Sequence, residues 1–127
     1  MPLRADLSAI SGEIIGGAIE VHRALGPGLL ESAYQHCLEL ELHHRGLSFD
    51  SQVTIPVVYR QVEIACSYRI DLIVERAVIV EIKSVEHLLP IHSAQTLTYL
   101  RLAKAKQALL MNFNVPILRS GLKSFVK

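Results

Sequence analysis

Residues Tyr68–Ser84 read YRIDLIVERAVIVEIKS, two largely apolar, strand-like runs inside which Asp71, Glu81 and Lys83 stand. Side chains alternate along a strand, so Arg69, Asp71 and Ile73 share one face, with Tyr68, Ile70, Leu72 and Val74 on the other. In the second run Ile79, Glu81 and Lys83 share a face, opposite Val80 and Ile82. Glu75, Arg76 and Ala77 separate the runs. An antiparallel hairpin with that loop pairs Val74 with Val78 and, further out, Asp71 with Glu81. A two-residue loop would put the two carboxylates on opposite faces. With the odd loop their Cβ atoms stand about 4.5 to 5.5 Å apart, and like charges so placed are destabilising unless something positive lies between them. Mg²⁺ or Mn²⁺ fits this place, since hard cations take one or two carboxylates and complete their shells with water, carbonyl or phosphate oxygens. Lys83, next on the same face, is placed to orient a water or to neutralise charge developing on a phosphate. The same register sets Arg69 opposite Lys83, where the strands are expected to splay or to hold an anion. The hairpin alone leaves a second reading open, a metal-free ion cluster of Asp71 with Arg69 and Glu81 with Lys83 on a solvated face.

The remainder of the chain narrows the classes. At 127 residues, half of them hydrophobic, the sequence predicts a single globular domain over residues 1–127. A formal charge of +1 excludes an overall polycation, so contact with nucleic acid has to rest on a local basic patch. Cys37 and Cys66 form no CxxC or Cys/His cluster and are read as buried thiols. The opening stretch MPLRADLSAISGEIIGG lacks the apolar segment and cleavage site of a signal peptide, and no apolar run approaches the roughly 20 residues of a membrane span. These features predict a cytoplasmic protein with no membrane contact.

Apolar residues at helical spacing predict a first helix over Ser8–Ala24, capped by Asp6 or Ser8. Gly16 and Gly17 in its middle, each costing about 1 kcal/mol relative to Ala, point to close approach of another backbone. A turn at Leu25–Gly28 leads to a second helix, Leu29–Arg45, with Leu30, Ala33, Tyr34, Cys37, Leu38 and Leu42 as its buried stripe and Gly46 as its stop. Strands Gln52–Tyr59 and Val62–Glu75, turning at Arg60 and Gln61, join Ala77–Ser84 in an antiparallel meander, and Pro56 marks the first as an edge. Pro90 precedes a third helix, His92–Ala105, started by His92 or Ser93. It places Gln95 and Tyr99 on one face and gathers Arg101, Lys104 and Lys106 near its end, where cations suit the helix dipole and form a local basic patch. Gln107–Phe113 is a buried strand reached by a helical crossover, Asn114–Ser120 a loop, and Leu122–Val126 a short last strand. The fold class is mixed α/β (α+β): a three-strand meander, a helical crossover and flanking helices on one mixed sheet.

This order, carrying Asp71, then Glu81-Ile82-Lys83, then Gln95 with Tyr99, resembles the PD-(D/E)XK nuclease superfamily with its restriction-endonuclease-like core. More narrowly it is similar to the GxxExxY family, whose naming motif is present as Gly28-Leu29-Leu30-Glu31-Ser32-Ala33-Tyr34 within AIEVHRALGPGLLESAY (18–34). LLPIHSAQTLTYLRL (88–102) and LLMNFNVPIL (109–118) add to the likeness, which runs from about Ile14 to Val126. The proline of the superfamily's name is absent, Ile70 standing before Asp71. The resemblance implies a Mg²⁺- or Mn²⁺-dependent nuclease acting on DNA or RNA, with Asp71, Glu81 and Glu31 around the metal, Lys83 assisting the attacking water, and Gln95 and Tyr99 accessory. By position alone Glu31 also suits the first turn of a helix, where a carboxylate gains about 0.3 to 1 kcal/mol from the dipole.

Other chemistry finds no support. The six histidines include no HExxH or comparable ligand spacing, although His92 lies near enough to the Gln95 helix start to approach the site. No Gly-rich loop follows a strand and opens a helix. Two functions from different classes remain: the metal-dependent nuclease, needing a homodimer or a protein partner for any specificity, and a noncatalytic binding or regulatory module that keeps the nuclease fold.

Overall fold

The computed structural model describes residues 6–127 and, for residues 66 and 67, the backbone alone, so the expected burial of the Cys66 thiol lies outside the described residues. Asp6 starts helix α1 (Leu7–Leu25), its Oδ1 accepting the N–H groups of Ser8 and Ala9 at 3.0 and 3.2 Å, and Gly26, at φ 71°, ends it. Helix α2 spans Glu31–His44 and the chain leaves it through Gly46 at φ 75°. What approaches Gly16 and Gly17 is not backbone, as their sequence suggested. The Arg45 guanidinium lies over both, with Glu41 and Leu38 beside Gly17, and any Cβ there would crowd these side chains. Arg45 is fixed in that place by ion pairs to Glu13 of α1 (3.0 Å) and Glu41 (3.1 Å).

The five strands β1 (Phe49–Tyr59), β2 (Val62–Val74), β3 (Val78–Lys83), β4 (Gln107–Asn112) and β5 (Leu122–Val126) form one sheet in chain order. All neighbours are antiparallel except β3 and β4, which are parallel and joined through α3 (Pro90–Ala103). The expected mixed sheet is therefore present, with β1 at an edge where Pro56 removes no ladder donor the sheet needs. Arg60 and Gln61, both at positive φ, turn β1 into β2. The β2–β3 loop of Glu75, Arg76 and Ala77 keeps the register read from the sequence, Val74 opposite Val78.

Helices α1 and α2 cover one face of the sheet. Ile14, Ala18, Tyr34 and Leu38 pack there on Leu72, Val80, Ile82 and Met111. Helix α3 covers the other face, where Tyr99 and Leu100 meet Ile55, Ile70, Ile79 and Ala108. Strands β3 and β4, central and covered on both sides, are apolar almost throughout, as parallel pairs must be.

Three expectations need correction. Leu30 is 77 % exposed and belongs to no core stripe, because the helix starts one residue after it. Cys37 is only partly buried. Ile70 joins the α3 face while Leu72 and Val74 face α1 and α2, so simple alternation fails between them. The change of face falls at Asp71, opposite Gln52, which adopts φ 48°: the ladder pairs Ser51 with Leu72 and Val53 with Ile70 but omits the pair between them.

The return from β4 to β5 is equally tight. A Cβ on Gly121 would run into the backbone carbonyl oxygen of Asn112, and neither backbone can yield as a flexible side chain would. Gly121→Ala is expected to cost about 1 to 3 kcal/mol through overpacking, read as a lower midpoint in urea with an unchanged slope. Gly12→Ala, where nothing lies within 4 Å, is the matched control and should be neutral or stabilising.

Candidate active site

The β2–β3 ladder is regular at Val74–Val78, Ile73–Ile79 and Leu72–Val80 and goes no further. One residue on, the two carboxylates take over the pairing. The Asp71 N–H donates to Glu81 Oε2 at 2.9 Å, and the Ile82 N–H donates to Asp71 Oδ2 at 2.8 Å. The parting of the strands, expected at Arg69 and Lys83, thus occurs earlier, at the carboxylates. Arg69 is exposed and pairs with Thr54 on β1.

This geometry bears on the ion-cluster reading of the hairpin's charges. Among the described residues the only ion pairs are those of Arg45, so Asp71–Arg69 and Glu81–Lys83 do not form a surface ion cluster. Nor is the face solvated, since Glu81 is 4 % exposed. Burial, and next the charge of Asp71, push the Glu81 carboxyl up to about 8, against the opposing pull of the Asp71 N–H and of Lys83. Asp71 is also raised, chiefly by burial, while the Ile82 N–H, Gln52 and Lys83 hold it down. The charge of Glu31 raises both carboxyls. Burial and a neighbouring like charge together are the conditions under which carboxyl groups at functional sites are held protonated near neutral pH.

Glu31 reaches the site from the first turn of α2. Its Oε2 accepts the Ser84 N–H at 3.1 Å, one residue beyond Lys83, and the Ser84 hydroxyl donates to the Leu29 carbonyl at 2.6 Å. Glu31 is exposed. Among the described residues, no three His, Cys, Asp or Glu side chains are close enough together to hold a metal unaided. The trio of Asp71, Glu81 and Glu31 is therefore a pair with an outlying third. Tyr99 lies at the same place from the α3 side. It is 4 % exposed, its ring centroid is 6.1 Å from that of Tyr68, and burial together with the charges of Glu81 and Asp71 raises its phenol above its usual range. Gln95, one turn earlier, is partly buried and enters none of the hydrogen bonds around the carboxylates. The third helix starts at Pro90, two residues before the expected His92, with Leu89 as its N-cap, and His92 within its first turn accepts the Leu89 N–H on Nδ1 at 2.9 Å.

Three polar residues that the sequence did not single out hold this arrangement. Gln35, buried on α2, donates to the Asp71 carbonyl at 3.1 Å and to Glu39 Oε2 at 2.9 Å. Gln52, at the break in β1, donates to Gln35 Oε1 at 2.8 Å and, at 3.4 Å, to Asp71 Oδ1. Glu31, Gln35 and Glu39 recur every fourth residue, a polar line along one helix face that could have flagged Gln35. Asn112, 2 % exposed at the end of β4, accepts the Val85 N–H at 3.0 Å and donates to its carbonyl at 2.9 Å, fastening the chain just past Lys83. A lone Asn in an apolar strand gives no comparable signal.

A family model described as the PD-(D/E)XK nuclease superfamily matches residues 8–125. The chain belongs to that superfamily, and its sheet and flanking helices have the restriction-endonuclease-like architecture. Such nucleases act on nucleic acid and generally use divalent metals. No curated protein and no solved structure matched the chain. No helix among the described residues is long and apolar enough to cross a membrane.

The raised Glu81 carboxyl has a direct consequence for stability. The folded state keeps the proton that the unfolded chain releases near pH 4.5, so folded protein binds more protons between there and about pH 8 and loses stability as pH rises through that window. Without divalent metal, Glu81→Gln is expected to flatten this fall and to melt a few degrees higher than wild type at pH 8, with little difference at pH 4. Melting curves across that range test it, and parallel curves for the two proteins would refute the buried-carboxylate account.

Proposed function

We propose that this chain is a Mg²⁺- or Mn²⁺-dependent nuclease of the GxxExxY kind, hydrolysing phosphodiester bonds of DNA or RNA in the cytoplasm. The observation that carries the reading is Glu81: a carboxyl almost without solvent, beside a second carboxyl, with no cationic side chain in ion-pair contact. A buried charge left so is costly. A bound divalent cation would offset that cost, and the donor set fits it: oxygen only, two carboxylates, each with one oxygen bonded to a backbone N–H, the other Asp71 oxygen meeting only the Gln52 amide at 3.4 Å. Asp71 and Glu81 would hold the metal, with water and substrate oxygens completing its shell. Glu31, whose Oε2 holds the Ser84 N–H, suits an outer, water-mediated place.

A metal bound there supplies Lewis acidity toward the phosphate and a more acidic water. The chain's own residues do the rest. The two backbone N–H bonds fix both carboxylates before substrate arrives, so little reorganisation is left for the reaction itself. Lys83 ends β3 on the carboxylate side and brings a positive charge to the phosphate and its attacking water. Tyr99, and Gln95 one turn before it, line the α3 side as positioning groups. No histidine base is required. A second copy or a protein partner would supply any sequence selection.

Two measurements test this. Calorimetric titration with Mn²⁺ should show weak binding that is lost in Glu81→Ala; identical isotherms for the two proteins would make the pair an ordinary buried network. Cleavage of a panel of linear, circular, single-stranded and branched DNA and of RNA should require the metal and fall by about 10² to 10³ in Lys83→Ala, the usual cost of one preorganised charge-stabilising donor, while that variant keeps its fold and most of its Mn²⁺ binding. Normal Mn²⁺ binding with no cleavage of any substrate would assign the chain to the noncatalytic modules instead.

A further inference from the structure

The carboxyl ends of β3 and β4 carry more than the carboxylates. The loop from α1 to α2, Gly26–Leu30, runs along this end of the sheet, tied down by the Tyr34 hydroxyl on the Gly26 carbonyl at 2.5 Å and by Ser84 on Leu29. On one side of the loop, Leu29–Ser32 and Ser84 line a shallow hollow that touches Glu31 and adjoins Lys83. On the other, a cavity of about 420 Å³ opens between the end of α1 and the segment after β4. Its rim carries Arg23 and Arg119, both exposed, and its apolar lining includes Ile19, Pro27, Pro116 and Ile117. No carboxylate lines it, and among the described residues neither arginine takes part in an ion pair.

We infer that this cavity is a nucleotide subsite, in which Arg23 and Arg119 hold phosphates of a single-stranded segment flanking the cleaved bond while an unstacked base lies on Pro27 and Ile117. The inference rests on the nuclease reading and deepens it by naming the form of the substrate. Three features argue for it. Arginine forks suit phosphate oxygens, and two of them with no acid among the lining residues make the site selective for an anion. The apolar lining suits the face of a base, and a face is free only where the base is not stacked in a duplex; single strands are held elsewhere by basic grooves with aromatic side chains under the bases, a place that Pro27 and Ile117 take here. The place is right as well. Gly26 and Pro27 border this cavity and Leu29–Ser32 the hollow that holds Glu31 and Ser84, so one short loop borders both. A cavity of similar size at the opposite end of the sheet has Arg76 and Lys106 but also Glu75, and lies at the start of β3, away from the carboxylates.

The test is fluorescence anisotropy with labelled single-stranded and duplex DNA 12-mers, in EDTA so that nothing is cleaved, at several salt concentrations. Wild type should bind the single strand more tightly than the duplex. Arg23→Ala/Arg119→Ala should weaken single-strand binding at least tenfold and lower the slope of log K against log salt by about 1.4, that is about 0.7 for each of two phosphates. Arg76→Ala/Lys106→Ala, which removes equal charge at the far end, should change the slope little. Ile117→Ala should weaken the single strand alone, with its slope unchanged. Equal slopes for wild type and the Arg23/Arg119 variant, or no binding by wild type, would overturn the subsite whatever the cleavage assays show. A duplex bound as well as the single strand would overturn its single-strand assignment. Arginine-dependent binding without metal-dependent cleavage would uphold the subsite and remove the nuclease reading, so the two proposals fail separately.

Discussion

Two strands that pair backbone to backbone as far as Leu72 and Val80 exchange, one residue later, carbonyl acceptors for carboxylate ones, and the site depends on that exchange. A buried N–H has to find an acceptor. Here Glu81 serves the N–H of Asp71, and Asp71 serves that of Ile82. Each carboxylate is thereby aimed by main chain and not by a rotamer alone, and the second oxygen of Asp71 meets only the Gln52 amide at 3.4 Å. The exchange also explains why two like charges are tolerated side by side. The N–H dipoles offset part of the cost, and the part left over appears as the raised pKa of Glu81.

The supports converge on this point from separate elements. Gln52 adopts its left-handed backbone opposite Asp71, and Gln35 bridges Gln52 to the Asp71 carbonyl. Tyr34, one residue before Gln35, stacks on Phe113 with ring centroids 4.5 Å apart and holds the loop that delivers Glu31. Asn112 pins the chain after Lys83. Since α2 contributes Tyr34 and Gln35 as adjacent residues, its position relative to the sheet sets the loop and the strand carboxylate together. Arg45, lying over Gly16 and Gly17 with one ion pair on each helix, fixes how α1 sits against α2.

How much of this the sequence disclosed follows from what is local and what is not. The parity of the loop at Glu75–Ala77 is a local count, and it placed Asp71 beside Glu81 in the right register. The order of elements and the edge position of β1 were legible for the same reason, through periodicity and Pro56. The break at Gln52 was not, because a glutamine at positive φ has no sequence signature when its cause is a buried partner on a distant helix. Ile70, beyond that break, was assigned to the wrong face. Leu30 looked like core because it is apolar at helical spacing, yet the helix begins after it. Gly16 and Gly17 correctly signalled a close approach, but glycine does not say whether backbone or an arginine comes near.

The β1–β2 hairpin outruns the sheet that supports it. Strand β3 accompanies β2 only from Leu72 to Val74, and α3 covers the hairpin about as far as Ile55 and Ile70. Beyond that, from Val57 to Ile64, the two strands pair with each other, and Val58, Tyr59 and Val62 stand more than half exposed. The carboxylates sit at the root of this arm, on the supported side of the break at Gln52. Residues can therefore be added or removed in pairs at the tip without shifting Asp71 against Glu81. The arm is thus the part of the fold most open to divergence in length, able to acquire a new contact while the chemistry at its base stays in register.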